Sequence, residues 1–357
     1  MLKINPIQSL SLDFIRFFAV QAVLIGHSIS FFNISKNTPY IQNMGVVLFF
    51  VLSGLIISYT VFYKSQGEYS FRIFFLERFA RIYTGLIPSL LFILLIDFVM
   101  KYSNSSHYIY ENAYNIKTFI GNIFMLQDYQ YIGHYFISLI PEQFHITSFG
   151  SGRPLWTLAI EWWLYMCFGL LYFDYRKSFS WKYFPLLLLV SIVPLWNLIH
   201  GRGHGLTIYW MFGIIITLLV FKKQYFSKTL SLFFTLLFLL CSIIVLLYEE
   251  KAYSVKFVFF IAGFMFFMLL YQQNIDKKFY NIKRIIQFGA GYSFTLYLIH
   301  YSIIEFIISL DMQYNKYILA MSSVVIANII AAFVASKTEM KYKVVANILK
   351  ERVDHVK

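Results

Sequence analysis

The stretch LSLDFIRFFAVQAVLIGHSISF, residues 10–31, decides how this chain is read. It is apolar enough to cross a hydrocarbon core, which needs about 20 residues. It nevertheless carries Asp13, Arg16 and His27. An ionisable residue at membrane depth is costly unless paired or hydrated, so it marks a functional site by default. Arg16 and His27 stand at i and i+11. At about 100° per residue they share one helix face, and at about 1.5 Å per residue they lie roughly 16 Å apart along the axis. That face offers an anion-binding guanidinium near one membrane surface and an acid/base group toward the other.

The rest of the chain agrees with a membrane reading. Of its 357 residues, 59% are hydrophobic and 13% charged, against about 25% charged in soluble proteins. The net charge of +13 would suit a nucleic-acid binder if the basic residues formed one block. They are dealt out between apolar runs instead, which points to membrane topology and away from nucleic acid. Cys167 and Cys241 both fall in apolar runs, so no disulfide framework or zinc site is expected. The first run is too long for a cleaved signal sequence, and it lacks a convincing cleavage site.

The expected fold class is all-α, a polytopic membrane protein of about ten transmembrane helices. The runs lie near 10–31, 45–63, 79–100, 154–173, 183–199, 205–221, 229–247, 254–271, 288–309 and 316–336. The fifth and sixth are short. Lys and Arg concentrate before run 1, after runs 2, 4, 6 and 8, and in the tail. The positive-inside rule then places both termini in the cytoplasm of a cell with the protein in its cytoplasmic membrane. Residues 1–340 read as one transmembrane domain and 341–357 as a basic cytoplasmic tail. An external segment, 101–153, is inserted between runs 3 and 4, with an amphipathic stretch near Tyr114 to Leu126. A segment of that length is commonly functional. Either a surface helix or an acceptor-binding role suits it.

Further charged and polar residues fall in the runs. Arg78 and Arg81, at i and i+3, share a helix face. They suit either positive-inside anchoring or bidentate phosphate binding. With Arg16 they form a candidate site for a polyanionic cytoplasmic ligand such as coenzyme A. Glu161 sits about 10 Å into run 4, a depth at which it could orient the imidazole of His27 as base. Trp156 suits an interface belt. Ser53-Gly54 suits close helix approach or a channel wall. Tyr297 and His300 in run 9 suit a second site group or a hydrogen-bonded core pair. His107, His134, His145, His200 and His204 show no metal-ligand spacing, and no metal is expected. A His-x4-Asp acyltransferase pattern, a Gly-x-Ser-x-Gly elbow and a P-loop are all absent.

Taken in order, these blocks resemble the acyltransferase type 3 family of integral membrane acyltransferases. The resemblance runs through Leu12 to Arg16 with Asp13, and His27 at the family's Arg-x10-His spacing. It continues through Gly45 to Gly54, which includes Ser53, and through Arg78-x-x-Arg81. Trp156 to Tyr165 is similar to the family's WSLSVEEQFY block, with Glu161 at its first Glu. Tyr292 to His300 is similar to its SYxLYLxH block. The likeness spans about 10–336. Trp162 and Trp163 replace the second Glu and the Gln of the run-4 block, and Phe14 replaces a Gly.

The resemblance implies O-acylation, most simply O-acetylation, of an extracytoplasmic or lipid-linked carbohydrate. The donor would be acetyl-CoA or another acyl-CoA. Arg16, Arg78 and Arg81 would hold the coenzyme A phosphates, and His27 with Glu161 would handle the proton. A transporter or flippase for a glycan or lipid-linked precursor is the competing class. It too needs many helices and buried charges, but no inverted repeat is visible.

Overall fold

The computed structural model describes residues 3–35, 41–65, 69–103, 108–127, 146–175, 181–200, 205–220, 226–248, 254–273 and 282–354. They form helices α1 (Pro6–Phe31), α2 (Ile41–Lys64), α3 (Phe71–Ser103), α4 (Ile116–Ile123), α5 (Leu155–Leu170), α6 (Phe184–His200) and α7 (Leu206–Val220). The series continues with α8 (Lys228–Tyr248), α9 (Val255–Gln273), α10 (Lys283–Gly291), α11 (Ser293–Ser309), α12 (Lys316–Lys337) and α13 (Tyr342–Asp354). No strand occurs among the described residues.

All ten apolar runs are helical, but they are not ten equal spans. Among the described residues, seven helices can cross a membrane by length and composition, or eight if a bent pair counts as one. The bent pair is α10 with α11, which meet at 58°. The straight ninth span expected from sequence is therefore two pieces, broken beside Gly291 and Tyr292. The short helices α6 and α7, of 17 and 15 residues, fall below the length that a perpendicular crossing requires. The chain divides into two compact units. The first is Met1–Gly26, Lys36–Tyr69 and His200–Ala290; the second is His27–Ser35, Ser70–Ile199 and Gly291–Lys357.

In the first unit, α1 starts on a reciprocal cap. Asn5 N–H donates to Gln8 Oε1 at 2.9 Å, and Gln8 N–H returns the bond to Asn5 Oδ1 at 2.8 Å. Such a pair satisfies amides that a helix start leaves without partners. Gln8 also donates to the Leu269 carbonyl, at 2.8 Å, tying α1 to α9. Between α2 and α7 the backbones nearly touch. A Cβ on Gly54 would fall 2.0 Å from the Trp210 carbonyl oxygen, and one on Gly213 2.2 Å from that of Val51. Lipid supplies no hydrophobic drive between helices, so close approach of small residues and buried hydrogen bonds hold them. Ser58 donates to Thr217 at 2.9 Å, and the Trp210 indole to Ser53 at 3.2 Å.

In the second unit, α3 packs against α11 and α5, and α12 lies along α11. The face that α12 buries is small: Ala320, Ser323, Ala327, Ala331 and Ala335, at three- and four-residue spacing. Ser28 reaches this face through Ser323, at 2.9 Å. The segment expected as a basic tail is instead helical to Asp354 and packs on α3. Lys350 Nζ meets Glu77 Oε1 at 2.7 Å, and the Arg81 guanidinium lies 4.8 Å from the Tyr342 ring centre. Its charges find partners on α3, which a tail read in isolation does not reveal.

The external segment is described in part, since 104–107 and 128–145, with His107, His134 and His145, lie outside the described residues. So does His204. The amphipathic stretch forms α4, capped by Asn115, which accepts from Thr118 N–H at 2.9 Å. Its polar Thr118 and Asn122 are buried while Ile116, Ile120 and Phe124 are exposed. A helix with its apolar side turned outward suits the membrane interface.

Candidate active site

The second unit gathers the titratable side chains that the sequence left scattered. His27, on the last turns of α1, has its ring 5.3 Å from that of His300, 5.3 Å from that of Tyr301 and 6.4 Å from that of Phe31. His300 is fully buried. Its Nδ1 lies 2.8 Å from the Tyr297 carbonyl and 3.2 Å from that of Leu296. A carbonyl accepts only, so Nδ1 carries the hydrogen there. Nε2 of His300 is then turned away from its own helix, buried and without a hydrogen-bond partner among the described residues. The Tyr297 hydroxyl lies 2.7 Å from Thr157 of α5.

Beside the imidazoles runs a polar strip. Tyr110 donates to Glu305, one turn beyond Tyr301 on α11. The Arg153 guanidinium stands 5.8 Å from the Tyr110 ring centre. Burial, then the bond to Glu305, pushes the Tyr110 phenol far above its ordinary value. Burial and neighbouring Asp97 do the same for Tyr108. Both therefore stay neutral donors.

One carboxylate holds this end together. Asp97 of α3 has no solvent exposure. It accepts from Ser151 N–H at 2.7 Å, from the Ser151 hydroxyl, and from the Tyr108 hydroxyl at 3.0 Å. Ser151 Oγ also contacts Ser302 Oγ at 2.6 Å. Gly150 makes this possible. Its φ is +50°, a conformation that disfavours a side chain, and a Cβ there would fall 1.8 Å from Asp97 Oδ2. The chain then enters α5 at Pro154, whose φ of −63° is preset for a helix. Asn122 fixes the same loop from α4, donating to the Thr147 carbonyl at 2.8 Å.

Nearer the start of α3 lies a second charged cluster. Arg81 Nη2 meets Glu339 at 3.0 Å. Glu339, fully buried, also accepts from the N–H and hydroxyl of Thr295, both at 2.8 Å, at the start of α11. Arg78 lies 4.0 Å from Glu77, and its Nε is buried without a hydrogen-bond partner among the described residues. His300 is roughly 8 Å along α11 from Thr295, by helix rise.

The residues singled out from sequence separate accordingly. The structure places His27, Tyr297 and His300 together, and Arg78 and Arg81 on successive turns of α3. It joins Glu161 to Tyr165, one turn on along α5. The rings beside His27 are those of His300, Tyr301 and Phe31. Trp156 is half-buried beside Thr157. Arg16 pairs with Asp13 at 3.5 Å within α1, and both belong, with Ser53, to the first unit. Asp97, Tyr110, Arg153, Tyr301, Glu305 and Glu339 were missed from sequence.

The chain matches the profile of the acyltransferase domain family, acyltransferase type 3, over residues 9–337. It belongs to that family. The match takes in α1 to α12 and every residue of both clusters except Glu339 and Lys350 of the C-terminal segment. No curated protein and no solved structure matches the chain. This type 3 acyltransferase is a membrane protein with several apolar spanning helices.

Proposed function

We propose that this acyltransferase moves an acyl group, most simply acetyl, from a cytoplasmic acyl-CoA to a hydroxyl of an extracytoplasmic or lipid-linked carbohydrate. The placement of both clusters on α3 and α11 carries the reading. One end holds guanidinium groups, and the other holds paired imidazoles beside an exposed Arg153 and a strip of tyrosines. Arg78 and Arg81 take the donor's phosphates. The Nε of Arg78, which has no hydrogen-bond partner among the described residues, is a ready donor to a phosphate oxygen. The charge distribution between the runs supports a cytoplasmic setting for that end in a cell's cytoplasmic membrane.

In the transfer step the acceptor hydroxyl oxygen attacks the thioester carbonyl carbon. His27 takes the hydroxyl proton as general base. The carbon–sulfur bond then breaks, the ester is left on the sugar, and the departing thiolate receives the proton. His300 fixes the His27 ring from behind, and Glu161 with Tyr165 and Trp156 lines the α5 side. The test is direct. Purified protein in detergent, given acetyl-CoA and an acceptor glycan, is expected to release free coenzyme A and form an alkali-labile ester. A transporter would release none.

A further inference from the structure

The first unit carries an open, almost wholly apolar groove of about 720 Å³ between α1, α2, α8 and α9. Phe14, Leu48, Ile243 and Ile261 are among its walls. Along α1 it runs from Ile7 to Phe18, roughly 16 Å by helix rise. That is about half of the roughly 30 Å hydrocarbon thickness, or one leaflet. One end is polar. Gln272, the penultimate residue of α9, lines it together with Ser11, and Gln272 Nε2 donates to Ser11 Oγ at 2.8 Å. The other half of that amide, Oε1, is buried with no hydrogen-bond partner among the described residues. A buried acceptor left without a donor costs free energy that a bound donor restores.

We propose that this groove binds one alkyl chain of a phospholipid, with a hydroxyl-bearing head group donating to Gln272 Oε1. The apolar length sets the chain, and the unsatisfied acceptor at the Gln272 end sets the head group. Phosphatidylglycerol, which has free hydroxyls, satisfies it. Phosphatidylcholine, which has no donor, does not. The inference does not rest on the reaction proposed above.

Two tryptophan variants on α8 test it. Ile243 and Leu240 are both exposed on that helix, at 47% and 55%, but only Ile243 lines the groove. The full-length chain would be delipidated in detergent and incubated with phosphatidylglycerol or phosphatidylcholine of matched chains. Retained lipid would be counted by native mass spectrometry. Wild type and Leu240→Trp should each keep one phosphatidylglycerol, and Ile243→Trp less than about a tenth of that. Leu239→Trp, also in the groove wall, serves if Ile243→Trp does not fold. Equal retention by groove-filling and control variants would overturn the site, as would no retention by wild type. Equal retention of the two lipids would overturn the contact to Gln272.

Discussion

His27 and His300 face one another across two helices, with ring centres 5.3 Å apart. Because Nδ1 of His300 is committed to the Tyr297 carbonyl at 2.8 Å, only its Nε2 side is available to chemistry or to a neighbouring donor. The proposed reaction asks the half-buried His27 ring to meet substrate and the buried His300 ring to set its position.

Replacing His300 by Phe keeps ring volume and removes both nitrogens. Activity is expected to fall at least tenfold through kcat, with the donor KM little changed. If the ring were only packing, His300→Phe would retain wild-type turnover.

Asp97 accepts three hydrogen bonds in a site closed to water. Asp97→Asn turns an amide donor toward one of those donors, at about 1–3 kcal/mol for each group left unsatisfied. A lower melting temperature in detergent and faster proteolysis near residues 146–153 are expected. Gly150→Ala should be as damaging, since its Cβ falls on the Asp97 carboxylate.

Arg78 and Arg81 should separate in kinetics. Arg81 joins a fully buried Glu339, and breaking a buried pair costs about 3 kcal/mol or more. Arg81→Ala is therefore expected to lower the melting temperature and raise the donor KM. Arg78→Ala, whose carboxylate neighbour is at 4.0 Å, should raise the donor KM about tenfold with melting unchanged. Equal effects on melting would remove this distinction.

Much of this was legible in the sequence, and the gaps have a physical pattern. Helix periodicity gives the depth and face of a residue along its own helix, so His27, Arg78 and Arg81 could be named. It gives no information about which helices are neighbours. Depth alone links Glu161 to His27, whereas the contacts of His27 with His300 and Tyr301 of α11 have no signal in depth or periodicity. Asp97 and Glu305 sit inside apolar runs just as Arg16 does, and the same rule about charges at membrane depth would have found them. Lys350 falls in what reads as a basic cytoplasmic tail and Glu339 just before it, and only their pairing with Glu77 and Arg81 reveals a packed segment. The break at Tyr292 has a local signal in Gly289 and Gly291, whereas length alone could not tell short α6 and α7 from full spans.

Tyr108 and Tyr110 supply the pH prediction. Burial first, then carboxylate neighbours, raise both phenols from the ordinary 10.0. Their contribution to stability is complete below that value and declines above it, as the unfolded chain's phenols ionise while the folded ones resist. The double change to Phe should lessen the loss of melting temperature above about pH 10. Below that, the pH profile of turnover should keep its shape in Tyr110→Phe, because a neutral phenol does not titrate there. A moved acid limb in that variant would contradict the assignment.

The proton-handling role proposed for His27 is best measured on His27→Ala and His27→Gln, purified and shown to melt like wild type. Acetyl ester formed on an acceptor glycan and free coenzyme A released would be counted together. Loss of a general base lowers the rate by about 10²–10⁴, so both products should fall at least a hundredfold in each variant. Ester formation at the wild-type rate in either folded variant would show that some other group takes the proton.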